Sequence, residues 1–117
     1  ALRKGESTSA LLGIPIAYKD IVMTKGIRTT CGSALHADWR PPIDAAVVEK
    51  WREGGAGMIG ELSTPEFATG LQPPGHMLKP ARTPRNPAHG PRGASSASGA
   101  GLAAMRRDKW ASWVSWR

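Results

Sequence analysis

Gly13-Ile14-Pro15-Ile16-Ala17-Tyr18-Lys19-Asp20 is the stretch on which the fold turns. It is short, apolar and opened by glycine, and it gives way to charge at Lys19 and Asp20, as a buried strand does where it ends. Beyond it, Ile21 to Thr30 has β-branched residues on both sides of Lys25-Gly26, which predicts a small hairpin or an extended lip. Asp44, just after Pro41-Pro42, is placed as the N-cap of a helix running from Ala45 to Glu53. Val47, Val48 and Trp51 share one face of that helix, while Glu49, Lys50, Arg52 and Glu53 lie elsewhere. Gly54-Gly55 end it in the usual C-terminal way. Met58 to Leu62 is the next short strand. Strand, helix and strand in this order predict a crossover unit of an α/β sheet.

After Pro65 the texture changes. Pro65 to Gly70 suits one helical turn with proline at its first position. Leu71 to Pro91 is rich in Pro, Gly, His and Arg and has no periodicity, which reads as a long loop. Gly93 to Gly101 is small and polar, and by composition alone it reads as a flexible linker.

The 117 residues are the size of one domain. The formal charge of +7 invites a nucleic-acid reading, but residues 1–70 hold eight basic and eight acidic side chains. The whole excess falls in residues 71–117, beside six of the ten prolines. The run from Leu11 to Tyr18 is far too short to span a bilayer, and no basic-then-apolar leader opens the chain, so membrane insertion and secretion are not expected. Cys31, the single cysteine, has no internal disulfide partner, which fits a reducing cytoplasm, and it reads as a small buried hydrophobe. His36, His76 and His89 lack the spacing and thiolate company of a zinc site and read as loop and surface histidines. Ala1 in place of Met hints that the chain begins inside a longer protein.

The strand GIPIAYKD is followed by TKGIRTTCGS, the amphipathic helix, GGAGMIGELSTPEFATG, NPAHGP and the Gly/Ser cluster. In that order and spacing, from about Leu12 to Ala104, the sequence resembles the amidase signature family. The resemblance implies an α/β fold, a mixed β-sheet flanked by helices, of which this chain would hold an incomplete piece. Residues 1–104 would form that partial domain, including the loop 71–91 and the Gly/Ser cluster 93–101.

It also implies a chemistry, hydrolysis of a carboxylic amide C–N bond through a Ser-Ser-Lys triad and an acyl-enzyme, with no metal or organic cofactor. A nucleophilic serine attacks the carbonyl, and a second serine, held by a cis peptide bond, bridges it to a lysine that accepts the proton. A lysine serves as a base only where burial disfavours its charged form, and the end of a buried strand offers such a place. Lys19 matches the family's catalytic lysine. Asp20 reads as structural and Tyr18 as a core residue. Two registers are open for the bridging serine. The ungapped one fits more flanking residues and puts Ala94 there, with Arg92 and Ala97 where the family has glycine. A shift by one puts Ser95 there and restores the hydroxyl.

The family's nucleophile lies in a Gly-Gly-Ser turn, whose N–H groups also form the oxyanion hole. Counted from Ala94 or Ser95, that turn falls just beyond Arg117, and neither Ser112 nor Ser115 follows a Gly-Gly turn. The chain would then be truncated before its nucleophile and inactive alone. Residues 105–117 form an Arg/Trp-rich tail in which Trp110, Trp113 and Trp116 recur at spacing three. A frame slip near Met105 accounts for this tail, and a native nucleic-acid or membrane-surface segment is the competing reading. The partner expected from the resemblance is a small-molecule amide, with no nucleic acid and no membrane. The A-type chain of a tRNA-dependent amidotransferase, which releases ammonia from glutamine, is the other reading within the family.

Overall fold

The structure, a computed structural model, describes residues 9–69, 77–91 and 93–105. Its regular elements are β1 (Pro15–Lys19), α1 (Ala46–Glu53), β2 (Gly57–Leu62) and α2 (Ser96–Met105), with short 3-10 turns at Ala34–His36 and Glu66–Ala68. Strands β1 and β2 pair in parallel, with Pro15 opposite Gly57 and Lys19 opposite Leu62, and α1 lies in the crossover between them. The α/β class therefore holds. The expected sheet was mixed, and its described pair is parallel. Ile16 partners Met58 whereas Ala17 partners Gly60, so Ile59 is the extra residue of a bulge. Gly60 beside it has φ 151°, a value that residues with a side chain rarely adopt.

From Ile21 to Thr30 the extended lip forms and the hairpin does not. Its backbone pairs with the segment leading into α1 instead of with itself: Gly26 N–H donates to Pro41 O (3.0 Å), Thr29 N–H to Trp39 O (3.0 Å), and Ala45 N–H to Met23 O (2.8 Å). This also explains why Asp44 is not the N-cap. Ala45 occupies that position without a side-chain bond. The Asp44 carboxylate is taken instead by Lys25 N–H at 2.7 Å and by the Arg52 guanidinium. That guanidinium first, and the Lys25 N–H second, hold its carboxyl below the usual range. Helix α1 closes on Gly54, and Gly55 follows with φ +84°.

The expected apolar face of α1 is only partly buried. Val48 is 1% exposed, but Trp51 and Val47 are 36% and 39% exposed. At about 100° per residue the three fan out, with Val48 aimed inward, Trp51 at the margin and Val47 beyond it. Trp51 stacks on buried Tyr18 with ring centroids 5.7 Å apart, and burial raises the Tyr18 pKa. Tyr18 and Cys31 are buried, as expected.

The linker reading of the Gly/Ser cluster is overturned: most of it is helix α2. Ala97, Ala100 and Ala104 recur on one face and are buried, and Ala97 and Ala100 join Leu62 and Ala81 in a core cluster with Ala17 against it. Glycine in a helix costs about 1 kcal/mol relative to alanine, so burial of this stripe outweighs the cost of Gly99 and Gly101. A single turn does follow β2, but Pro65 stands before it with an extended ψ of 154° and Phe67 and Ala68 have left-handed backbones, so it is not the regular helical turn expected, and Gly70 lies outside the described residues. So do Leu71 to His76 of the loop, Arg92, and the tail from Arg106 to Arg117. The described loop closes on itself, with Thr83 N–H donating to His89 O (2.9 Å), and it sends Ala81 into the core.

Candidate active site

Lys19 is the last residue of β1, and the parallel register sets it beside Leu62 at the end of β2. It is half-buried. Ser95 lies at the N-terminal end of α2, where its carbonyl accepts from Gly99 N–H at 3.2 Å. The two meet: Lys19 Nζ donates to Ser95 Oγ at 3.4 Å across a sequence separation of 76. Of the two residues left open for the bridging position, Ser95 presents its hydroxyl to the lysine. The Ala94 carbonyl instead accepts from Thr64 Oγ1 at 3.3 Å. No cis peptide bond occurs among the described residues.

A second layer of side chains holds this end of the sheet. Asp20 is buried; its N–H donates to Leu62 O (2.8 Å) and its carboxylate accepts from both the N–H (2.6 Å) and the hydroxyl of Thr30. These bonds tie the end of β1 to the segment at Thr30 and to β2. Glu61 accepts from Thr29 Oγ1 at 3.4 Å. Burial, and then the neighbouring Asp20 charge, push the Glu61 carboxyl up to about 8. Burial, and then both carboxylates, raise the Cys31 thiol. Asp20, Thr30 and Glu61 line a small open pocket together with Arg28, Ser63 and Leu78.

The turn at Cys31-Gly32 is clamped to the segment after β2. Phe67 N–H donates to Cys31 O at 2.8 Å, and a Cβ on Gly32 would overlap the Thr64 carbonyl oxygen. Cys31, Phe67 and Ala68 all have left-handed backbones, with φ of 54°, 46° and 57°, and strain of this kind gathers where the surrounding packing over-determines the chain. His36 is not a plain surface residue. It is half-buried, with Trp39 tilted against it at 5.3 Å and Phe67 edge-on at 5.6 Å, and its Nδ1 is buried without a hydrogen-bond partner among the described residues. His89 is exposed, and His76 lies outside the described residues.

Thr64 and Glu61 were missed in the sequence. Glu61 had a visible signal, a lone carboxylate inside an otherwise apolar strand. Thr64 had none, because a threonine after a strand is ordinary until its partner is known. Among the described residues no group of three or more His, Cys, Asp or Glu could hold a metal ion, and no helix is long and apolar enough to cross a membrane.

Comparison with known proteins gives the family. The model of the Amidase family matches residues 1–106. The chain belongs to the amidase family. Among curated relatives it is 45% identical over 84 residues to the A-type chain of the glutamyl-tRNA(Gln) amidotransferase of Moorella thermoacetica, which is 72% of this chain and 17% of that protein. The crystal structure of the corresponding protein from Thermotoga maritima superposes with a TM-score of 0.68 at 35% identity, over 80% of this chain and 20% of that one. A structure described as a vestigial protein complex revealing the origins of an s-triazine catabolic enzyme superposes with a TM-score of 0.80 at 30% identity, over 90% of this chain and 23% of that one. The amidase fold of this chain is thus a piece spanning about a fifth of the relatives it matches.

Proposed function

We propose that this chain supplies the base and the proton relay of an amide-hydrolysing site, with Lys19 as general base and Ser95 as relay. The supporting observation is the 3.4 Å approach of Lys19 Nζ to Ser95 Oγ. In the working state the bond runs the other way: a neutral Lys19 amine accepts from the Ser95 hydroxyl as Ser95 accepts the proton of the attacking serine. The amide carbonyl is attacked, the amine leaves with a proton passed back along the relay, and water releases the acyl group. The 117 residues contain no Gly-Gly-Ser sequence, so on this reading the nucleophile and oxyanion hole stand on a segment outside them. The substrate is a small carboxylic amide, and the scheme needs no metal or organic cofactor.

Glutamine is the amide favoured by one observation, the 45% identity to the Moorella thermoacetica glutamyl-tRNA(Gln) amidotransferase chain. A hybrid tests both readings. Residues 12–104 of this chain replace the matched segment of the Moorella thermoacetica protein, and turnover of glutamine is compared with that of simple amides. Turnover that disappears on Lys19→Ala supports the amide-hydrolysing reading of this segment, and a shift from glutamine towards simple amides relative to the parent Moorella thermoacetica enzyme would count against the amidotransferase reading. The 117-residue chain by itself is expected to show no hydrolysis of amides or esters above background. Activity there that disappears on Lys19→Ala would contradict this.

A further inference from the structure

We propose that Thr64 is a positioning residue for the Lys19–Ser95 pair, its hydroxyl fixing the turn that aims Ser95 at the lysine. The inference rests on the reading of Lys19 and Ser95 as base and relay. Thr64 is 1% exposed, so its hydroxyl has no water to fall back on, and it donates to the Ala94 carbonyl at 3.3 Å. An unpaired buried hydroxyl is costly, so the bond is held firmly. Ala94 is joined to Ser95 by one peptide unit. Fixing its carbonyl therefore sets the orientation of that peptide plane, and with it the direction of the Ser95 side chain.

Thr64 is itself held from two sides. Two residues before it, Leu62 is the register partner of Lys19, so the strand pair ties Thr64 to the lysine. On the other side its carbonyl lies against Gly32, where only a residue without a Cβ fits, and Phe67 N–H binds Cys31 O at 2.8 Å. One short segment thus carries both members of the pair: the ladder sets the lysine, and the Thr64 hydroxyl sets the serine. Distances in proton relays tolerate little error, which is why a side chain touching neither substrate nor base can matter here.

The test uses the full chain labelled with 13C at lysine Cε, with the Lys19 signal assigned from its loss in Lys19→Arg. Ser95→Ala is expected to shift that signal. Thr64→Val, which keeps volume and removes the hydroxyl, is expected to shift it in the same direction, and Thr64→Ser to restore it. Backbone amide spectra check that each variant keeps the fold, and Thr64→Ala carries the comparison if Thr64→Val unfolds. A Lys19 signal that moves in Ser95→Ala but stays in place without the Thr64 hydroxyl would overturn the role of Thr64 alone. So would failure of Thr64→Ser to restore the signal. A signal unmoved by Ser95→Ala would overturn the pairing, and the role of Thr64 with it.

Discussion

Glu61 shows how a single side chain can carry the pH response of this fold. Its carboxyl is pushed up from 4.5 to about 8 by burial and then by Asp20, against the opposing effects of the Thr29 hydroxyl and Arg28. A folded-state pKa above the unfolded one means that the native chain holds the proton more tightly. The stability this contributes is complete below the unfolded value of 4.5 and is lost as pH rises through about 8. Chemical denaturation of the wild type is therefore expected to show falling stability from pH 5 to 8.5. Glu61→Gln should flatten that slope and be the more stable chain at the alkaline end. Equal slopes would show that Glu61 is solvated like an ordinary carboxylate. At this scale the sequence was uneven in what it revealed. Lys19 was singled out by the resemblance to the family and not by its own pattern, since a strand ending in Lys-Asp is common and a lysine there is ordinarily solvated. The choice between Ala94 and Ser95 was not legible, since neighbouring small residues differ only in where the turn points them. That direction is set by Thr64, 30 residues away.

Helix α2 is the element that composition disguised. Alanine is too weakly apolar to stand out among Gly and Ser, so the stripe Ala97, Ala100 and Ala104 is invisible as a pattern until it has something to pack on. Leu62 and Ala81 provide that surface, and close approach of α2 to the end of β2 is what brings Ser95 to Lys19. Ala100 is 1% exposed in this contact. Ala100→Leu is expected to destabilise the chain by about 1–3 kcal/mol through overpacking. It should also part Lys19 from Ser95, moving the Lys19 NMR signal as Ser95→Ala does. Stability unchanged by the leucine would mean that α2 is not packed on the sheet. The crossover β1–α1–β2 was legible for the opposite reason. Its strands are bounded by glycine and charge, and its helix is stopped by Gly54-Gly55. The cap at Asp44 was misread because tertiary partners, Arg52 and Lys25, draw its carboxylate away from the local N–H groups.

For the molecule as a whole, the charge of +7 locates a change of character rather than a partner. Residues 1–70, which hold β1, α1 and β2, are electrically balanced, and the excess lies in a Pro/Arg loop, Arg92 and a terminal segment. The match to the amidase family ends at residue 106, close to where that terminal segment begins. On the proposed reading, what the chain would contribute to an amide-hydrolysing site is its lysine end, where Lys19 at the end of β1 meets Ser95 at the start of α2. The most direct test is the turnover of the hybrid enzyme carrying residues 12–104, measured for Lys19→Ala and Ser95→Ala against the unmodified hybrid. Each substitution is expected to lower kcat by about 100-fold or more with KM little changed, as loss of general acid–base catalysis does. A Ser95→Ala hybrid that turns over as fast as its parent would contradict the role of Ser95 as relay.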